Sequence, residues 1–542
     1  MATTRSVTAA LCLAGSASML FAQPGYMHQR QIGNTAREMY RDAVPTPIDA
    51  LTPDDFGCFT IGSIQAATTA PGDVLLARHR PDGSVIWARR FDGLSNEQGY
   101  KGAIVQNGNY IGVFTTTAPA NMQTGLMEVT PLGNLVGIPR IFRGTGATES
   151  VQDRDVGVSI RVVDNDFRMI TANFSQGTGI PQQGVIIRTD AANNPIWVRR
   201  YIYPTPSPSV SFADITMIPA TPPVTFPTYV VVGTMTDVNG TSHSILVLRI
   251  DPSGAVQSGW SIGFPVGFPA HLYGDGIEYI RGQQVVISAH LRPTLTNPAS
   301  VVAVTLVFNP LTGALSWVNS FDQFFPGRAA VDWRPEEGAL VGGEWRQPVG
   351  ASFVPHPMLL LTDGAGATFG ASIHTNSTDA RYDSATIFNG MFGKRILASG
   401  WGTFSPTYGM IDALLTRANN LGSTPGCPET ALSTATVTAI QVSPRGPQWV
   451  DDPASTFLQG PFNPEPLRDD FVCRASPCDP IDFNNDGLFP DTQDLDDFLS
   501  VFSGGPCSTG MCKDLDFNND TLFPDTADID SILSVFSGGP CL

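Results

Sequence analysis

Near the C-terminus two acidic segments repeat with a period of 34: Asp479–Cys507, DPIDFNNDGLFPDTQDLDDFLSVFSGGPC, and Lys513–Cys541, KDLDFNNDTLFPDTADIDSILSVFSGGPC. They agree at 21 of 29 positions and together carry thirteen Asp against one Lys. Each contains D-x-N-x-D, which places three hard oxygen donors at alternate positions of a short loop. A calcium ion takes about six to eight oxygens, and a loop of this pattern wraps it with side chains at positions 1, 3 and 5 and a backbone carbonyl at position 7. In the first copy Asp482, Asn484 and Asp486 supply side-chain oxygens and Leu488 its carbonyl; in the second, Asp516, Asn518, Asp520 and Leu522 do. Gly487 suits the sharp turn at position 6, whereas Thr521 in the second copy predicts a strained turn and a weaker site. The closing carboxylate is expected at position 12, but Gln493 and Ala527 stand there; Asp494 and Asp528 follow one residue later, and Asp491 and Asp525 are the alternatives. Without a cation so many carboxylates in one short span repel.

A helix is predicted after each loop. Leu495, Phe498, Leu499 and Phe502, and again Ile529, Ile532, Leu533 and Phe536, fall at i, i+3, i+4, i+7 and form one apolar stripe per helix. Gly504-Gly505-Pro506 and Gly538-Gly539-Pro540 then stop it. No helix has room ahead of either loop. This duplicated loop-plus-one-helix unit, with its EF-hand-type loop opening, resembles the type I repeats of dockerins. The resemblance covers about 65 residues within 473–542 and implies Ca2+ as the bound ion and a cohesin-like partner for the paired helices.

Eight Cys are present, one of them, Cys12, near the N-terminus. Cys478 and Cys507 are 29 apart, as are Cys512 and Cys541, which predicts one disulfide per acidic copy in an oxidising compartment. Cys58, Cys427 and Cys473 remain: a Cys58–Cys427 bridge would staple the main domain shut, and the rival Cys427–Cys473 would tie down the segment that follows it.

The elements ahead of this tail are copies of one stretch. Asp73–Phe91, DVLLARHRPDGSVIWARRF, holds two strand-like runs around Pro81-Asp82-Gly83. The unit returns at Gly125–Ile138, Gly184–Val198, Ser244–Trp260, Val301–Val318, Met358–Phe369 and Ile411–Leu421, the last with a weak second run. The turn slot is held by Gly83, Gly133, Asn194, Gly254, Gly313, Gly366 and Asn420, the residue types that tolerate left-handed backbone. Another strand-like run precedes each copy, from CFTIGSI at Cys58 to RILASGW at Arg395, and a weaker one precedes most of those, such as Gly102–Val105 and Ala385–Phe388. Four short strands per repeat, seven times over, predict an all-β fold, a seven-bladed β-propeller, followed by a small C-terminal α/loop calcium-binding module. Through Asp73, Leu76, Asp82-Gly83 and Trp87 the repeat resembles the propeller repeats of bacterial and archaeal surface proteins. The expected organisation is a signal peptide over 1–22, the propeller over 23–427, a linker over 428–472 whose one clear strand-like run is Ala435–Val442 and which is expected to start with a strand added to the last blade, and the calcium module over 473–542.

The signal reading rests on Arg5, the apolar Val7–Ala14 and the small-residue end at Ala22. No later run approaches the roughly 18–20 apolar residues of a membrane helix. A net charge of −18 argues against nucleic acid and anionic membranes as partners. The 54 Gly and 44 Pro suit a turn-rich chain. His28, His79, His243, His271, His290, His356 and His374 are scattered and make no catalytic motif, so no catalytic residue is assigned. Trp87, Trp197, Trp260 and Trp317 recur at one blade position and read as packing. Asp155, Asp214, Asp275, Asp332 and Asp383 each precede or open an innermost strand, where they either bond their own turns or ring one mouth of the axial channel for a cation or cationic ligand. The function expected is a secreted, non-catalytic binding or assembly protein for an extracellular protein or glycan, with the tail as attachment module. The alternative is a secreted propeller hydrolase or lyase acting on polysaccharide through channel carboxylates.

Overall fold

The computed structural model describes most of 28–419, the short segments 429–431, 437–439, 443–445, 450–453, 456–458 and 469–474, and in the tail 483–484, 492–509 and 526–537 with a few single residues between them. The chain is a seven-bladed β-propeller. Blade 1 is Arg37–Pro45, Cys58–Gln65, Gly72–His79 and Val85–Phe91, each strand antiparallel to the next. The innermost strands of the other blades are Gln98–Ile104, Val156–Val163, Ser209–Ile218, His271–Arg281, Phe324–Arg334 and Ala380–Gly390.

Burial peaks in the two middle strands of a blade and falls toward both the innermost and the outer strand. Every residue of Gly72–His79 is buried, whereas Val85–Phe91 is half-buried along nearly its whole length. The middle strands are covered on both faces by neighbouring blades, so they are continuously apolar rather than alternating: Tyr229–Val232 and Ile245–Leu248 are at most 1% exposed.

The recurring tryptophans lock blade to blade. Trp87 Nε1 donates to the Pro131 carbonyl at 2.8 Å, Trp197 to Pro252 at 3.1 Å, Trp260 to Pro310 at 2.8 Å and Trp317 to Gly364 at 3.2 Å. Each acceptor belongs to the tight turn of the next blade, and the glycine of that turn lies under the indole. A Cβ on Gly313 would stand 2.5 Å from the Trp260 ring, and its φ of +76° independently requires glycine. In blade 3 the left-handed residue is Asn193, φ 63°, one before the expected Asn194. Asn420 lies outside the described residues.

Ring closure explains the weak second run of the seventh copy. Blade 7 takes only three strands from that copy; its fourth is His28–Ile32, paired antiparallel with Ala413–Arg417. The expected Cys58–Cys427 staple does not form: Cys58 is a free, buried thiol. It packs in an apolar cluster with Tyr40, Ala77 and Leu415, which pushes the thiol up to about 12.

Residues 428–472, read above as a linker, contribute strands rather than a single run. Glu429–Ala431, Val437–Ala439, Ser443–Arg445, Val450–Pro453 and Thr456–Leu458 add a fifth strand to blades 6, 5, 4, 3 and 2 in turn, and Asp469–Arg474 adds one to blade 7. The path runs backward round the ring and starts on blade 6, not on the last blade. Among the described residues blade 1 stays four-stranded. The sequence between Leu458 and Asp469 holds Pro461, Pro464 and Pro466, none of which has an N–H to donate to a ladder.

In the tail, helices α1, Thr492–Phe502, and α2, Thr526–Phe536, form as expected. Gly504, at φ +83°, ends α1. Most of the expected stripe packs: Phe498 and Ile532 are buried with Phe483 and Phe517, and Leu495, Phe502 and Ile529, joined by Val501 and Val535, pack against them, while Leu499 and Leu533 are exposed. Cys507 is bonded to Cys512, five residues on, rather than to Cys478. The α1 stop turns the chain back at once and brings those two Cα atoms to 5.8 Å, within disulfide reach. Cys478 and Cys541 lie outside the described residues.

Candidate functional site

The second halves of six inner strands enclose an axial cavity of about 680 Å³. Five charged residues line it: Asp42, Lys101, Arg161, Glu278 and Asp332. A buried polar group is tolerated when it is hydrogen-bonded, and each of these is; Lys101 and Arg161 with Glu278 are also ion-paired. Asp42 of blade 1 accepts from Gly102 N of blade 2 at 2.9 Å and from Ser384 Oγ of blade 7 at 2.5 Å. Lys101 Nζ is 2.7 Å from Asp214 Oδ1 of blade 4, which also accepts from Ser159 Oγ of blade 3 and, through Oδ2, from Ile277 N of blade 5. Arg161 of blade 3 pairs with Glu278 of blade 5, and Thr216 of blade 4 bridges them at 2.9 and 3.0 Å. Asp332 of blade 6 accepts from Ile387 N and Thr386 Oγ1 of blade 7 at 2.7 and 2.9 Å. The girdle touches all seven blades.

Two carboxyls in this cavity are driven apart. Burial pushes Asp42 above the usual carboxylate range against the pull of Lys101 and its hydrogen bonds. Burial also pushes Glu278 up, but the Arg161 guanidinium outweighs it and holds Glu278 below that range.

The aspartates predicted to ring a mouth therefore divide. Asp214 and Asp332 bond neighbouring blades rather than their own turns. Asp383 pairs with Arg41 and Arg381 at 2.6 and 2.8 Å, and Asp275 with His290 at 2.7 Å. Asp155 lies outside the described residues.

At the mouth where the inner strands begin, histidines that are scattered in sequence meet. Rings run in contact from His271 to His243, Tyr273, His290 and Phe325, with centroid separations of 5.1, 4.6, 4.6 and 4.8 Å. Nothing in the sequence spacing announces this group; the antiparallel register assembles it.

Of the ten expected calcium ligands, Asn484, Asp494 and Asp528 are described, and each is completely buried. Asp482, Asp486, Leu488, Asp516, Asn518, Asp520 and Leu522 lie outside the described residues. Asp494 accepts from Asn484 N at 3.3 Å, so the loop start and the expected closing carboxylate are together. Asp497, which the sequence reading passed over, accepts from Asn484 Nδ2 at 3.0 Å, Gln493 Nε2 at 3.2 Å and Ser508 N and Oγ at 2.9 and 2.6 Å. Buried hard-oxygen donors on a short acidic loop fit a calcium ion. Among the described residues no three His, Cys, Asp or Glu side chains converge to hold a metal.

The chain matches no protein-family model and no curated protein. Among the described residues no helix is long and apolar enough to cross a membrane.

Proposed function

We propose that this is an exported binding or assembly protein, its propeller a scaffold for an extracellular protein or glycan and its tail a dockerin-like, calcium-dependent attachment module. The observation that carries the scaffold reading is the axial girdle. Its charged groups are spent on bonds between blades, an arrangement suited to rigidity rather than turnover. The attachment reading is supported by the duplicated D-x-N-x-D loops and by the burial of Asn484 beside Asp494. Asp482, Asn484, Asp486, Leu488 and Asp494, with Asp516, Asn518, Asp520, Leu522 and Asp528, would hold two Ca2+ ions, which would offset carboxylate repulsion and anchor the loop ahead of each helix. A cohesin-like domain is the partner this reading implies for the tail.

Calorimetric calcium titration of the full chain tests the tail. Two sites are expected, the second weaker, with affinities of about 10⁻⁴–10⁻³ M or tighter. Asp482→Ala with Asp516→Ala should abolish the calcium heat and leave the propeller melting unchanged. No heat up to several millimolar, or equal heat from the double variant, sinks the calcium assignment. Glycan arrays and pull-downs with and without 473–542 test the scaffold.

One observation favours the second reading, a polysaccharide-acting hydrolase or lyase: Asp42 and Glu278 line one cavity with carboxyls shifted in opposite directions, as an acid and a base require. Turnover of any polysaccharide that Glu278→Gln abolishes without lowering Tm would establish it.

A further inference from the structure

At the axial mouth, His271 lies opposite Arg292 and Tyr273 opposite His290 across the two innermost strands of blade 5. Directly opposed residues share a face of the sheet, so these four side chains form one patch. His243 of blade 4 completes it, with its Nδ1 3.1 Å from His271 Nδ1. Arg292 lays its guanidinium over the Tyr273 ring, 5.3 Å from the centroid.

The neighbouring arginines at this mouth have carboxylate partners: Arg346 has Glu344 at 2.6 Å, and Arg381 and Arg41 have Asp383. Arg292 differs. Among the described residues no carboxylate pairs with it, and its buried Nε, like that of Arg381, has no hydrogen-bond partner among them. A guanidinium stacked in place by an aromatic ring, beside two imidazoles and a phenol, gathers several N–H and O–H donors, and among the described residues no carboxylate neutralises that guanidinium.

We infer that this patch between blades 4 and 5 binds an anionic group, a carboxylate or sulfate carried by an acidic ligand. Arg292 offers the forked pair of N–H donors that such groups accept, and His243, His271 and Tyr273 surround it. The inference rests on the binding-scaffold reading and deepens it by naming the chemistry of the ligand.

The surrounding charges give the site a pH dependence. Burial, then His271, hold His243 down to about 4; Arg292 and His290 act in the same direction and Asp237 opposes them. Burial and then Arg292 lower His271, again against Asp237. Asp237 is engaged in its own turn, accepting from Thr241 N and Oγ1, each at 2.6 Å. Both imidazoles are therefore harder to protonate than an ordinary histidine. An anion would stabilise the imidazolium forms, so its binding takes up a proton and tightens as pH falls, by up to about tenfold per pH unit for one proton.

Calorimetry on the full chain with sodium sulfate, sodium glucuronate and neutral glucose, at about pH 5.5 and about pH 7.5, tests this. The expected result is anion binding at least tenfold tighter at the lower pH and no binding of glucose. Binding of both anions identifies a general oxyanion site; binding of glucuronate alone identifies a carboxylated sugar. Arg292→Gln should weaken binding at least tenfold with the melting curve unchanged, and Arg292→Lys should recover part of it. Failure of both anions to bind at the lower pH, affinity independent of pH, or undiminished binding by Arg292→Gln would overturn the inference. The wild-type pH profile decides even where a variant fails to fold. Capture of a neutral glycan without anion binding would remove this site and leave the scaffold reading standing.

Discussion

The joints between blades satisfy the same acceptor with different combinations of indole and guanidinium donors. At four joints an indole donates to the carbonyl of the second turn residue in the next blade, Pro131, Pro252, Pro310 or Gly364, and at the first two Arg78 and Arg188 donate to the same carbonyl as well. At the joint that closes the ring the equivalent carbonyl is Pro81, and the donor is Arg417 Nη1 at 3.1 Å, which also reaches Phe56 O at 3.0 Å. Arg30 of the closing strand adds a bond to Asp82 O at 3.1 Å. The carbonyl is dictated by the turn and cannot be left unsatisfied at a buried joint. The donor is free to vary, so what repeats is the demand, not the residue that meets it. Trp meets it with one hydrogen bond and a large apolar area; Arg meets it with several charge-assisted bonds and little area.

The largest test of this contrast is to remove the closing strand. Deleting 23–32 takes away Arg30 and the fourth strand of blade 7 together, leaving an edge open in a ring with no other end. Loss of a single cooperative thermal transition by circular dichroism is expected, whereas a variant melting within a few degrees of the parent would show that the ring does not depend on this joint.

A smaller effect separates the packed turn from the merely left-handed one. Gly313→Ala places a Cβ against the Trp260 ring at positive φ, while Gly108→Ala, at φ +83°, meets nothing within 4 Å. Denaturant unfolding should give a loss of about 3 kcal/mol for Gly313→Ala, strain plus overpacking, against about 1 kcal/mol for Gly108→Ala, strain alone. Equal losses would mean that the indole does not press on the turn.

The smallest effect compares the donors themselves. Trp260→Phe keeps a ring and loses the N–H, at a cost of about 1 kcal/mol, whereas Arg417→Met deprives two carbonyls of a charged donor and should cost about 2 kcal/mol. The same unfolding series measures both, and a larger loss at Trp260 would reverse the ranking of the joints.

The ring was legible because each blade spends a Gly or Asn on the same turn, and an indole needs that turn flat against it. Other features were illegible for definite physical reasons. His271 and Arg292 are brought together by strand register, and register is set by a hairpin whose length no local motif announces. The fifth strands are three to six residues long, too short for alternation to show. The equal spacing of four cysteines suggested one bond per copy, yet the turn after α1 brings Cys507 to Cys512 first. In the tail, Asp494 was read from its place in the loop, while Asp497 escaped because the second copy has Ser531 at that position, buried all the same.

The closing strand has a consequence for the order of assembly. Gln29 is paired with Thr416, so the earliest part of the ring to be synthesised waits for nearly the last. Blades 1 to 6 can each form from local hairpins as they emerge, but His28–Ile32 is all there is of blade 7 until some four hundred residues are in place. Joining such distant segments costs little more entropy than joining closer ones, since the cost grows only with the logarithm of loop length, yet it sets a late, all-or-none step. A chain threaded across a membrane from its N-terminus would pass as an open arc of blades at most, and would become a ring only on the far side.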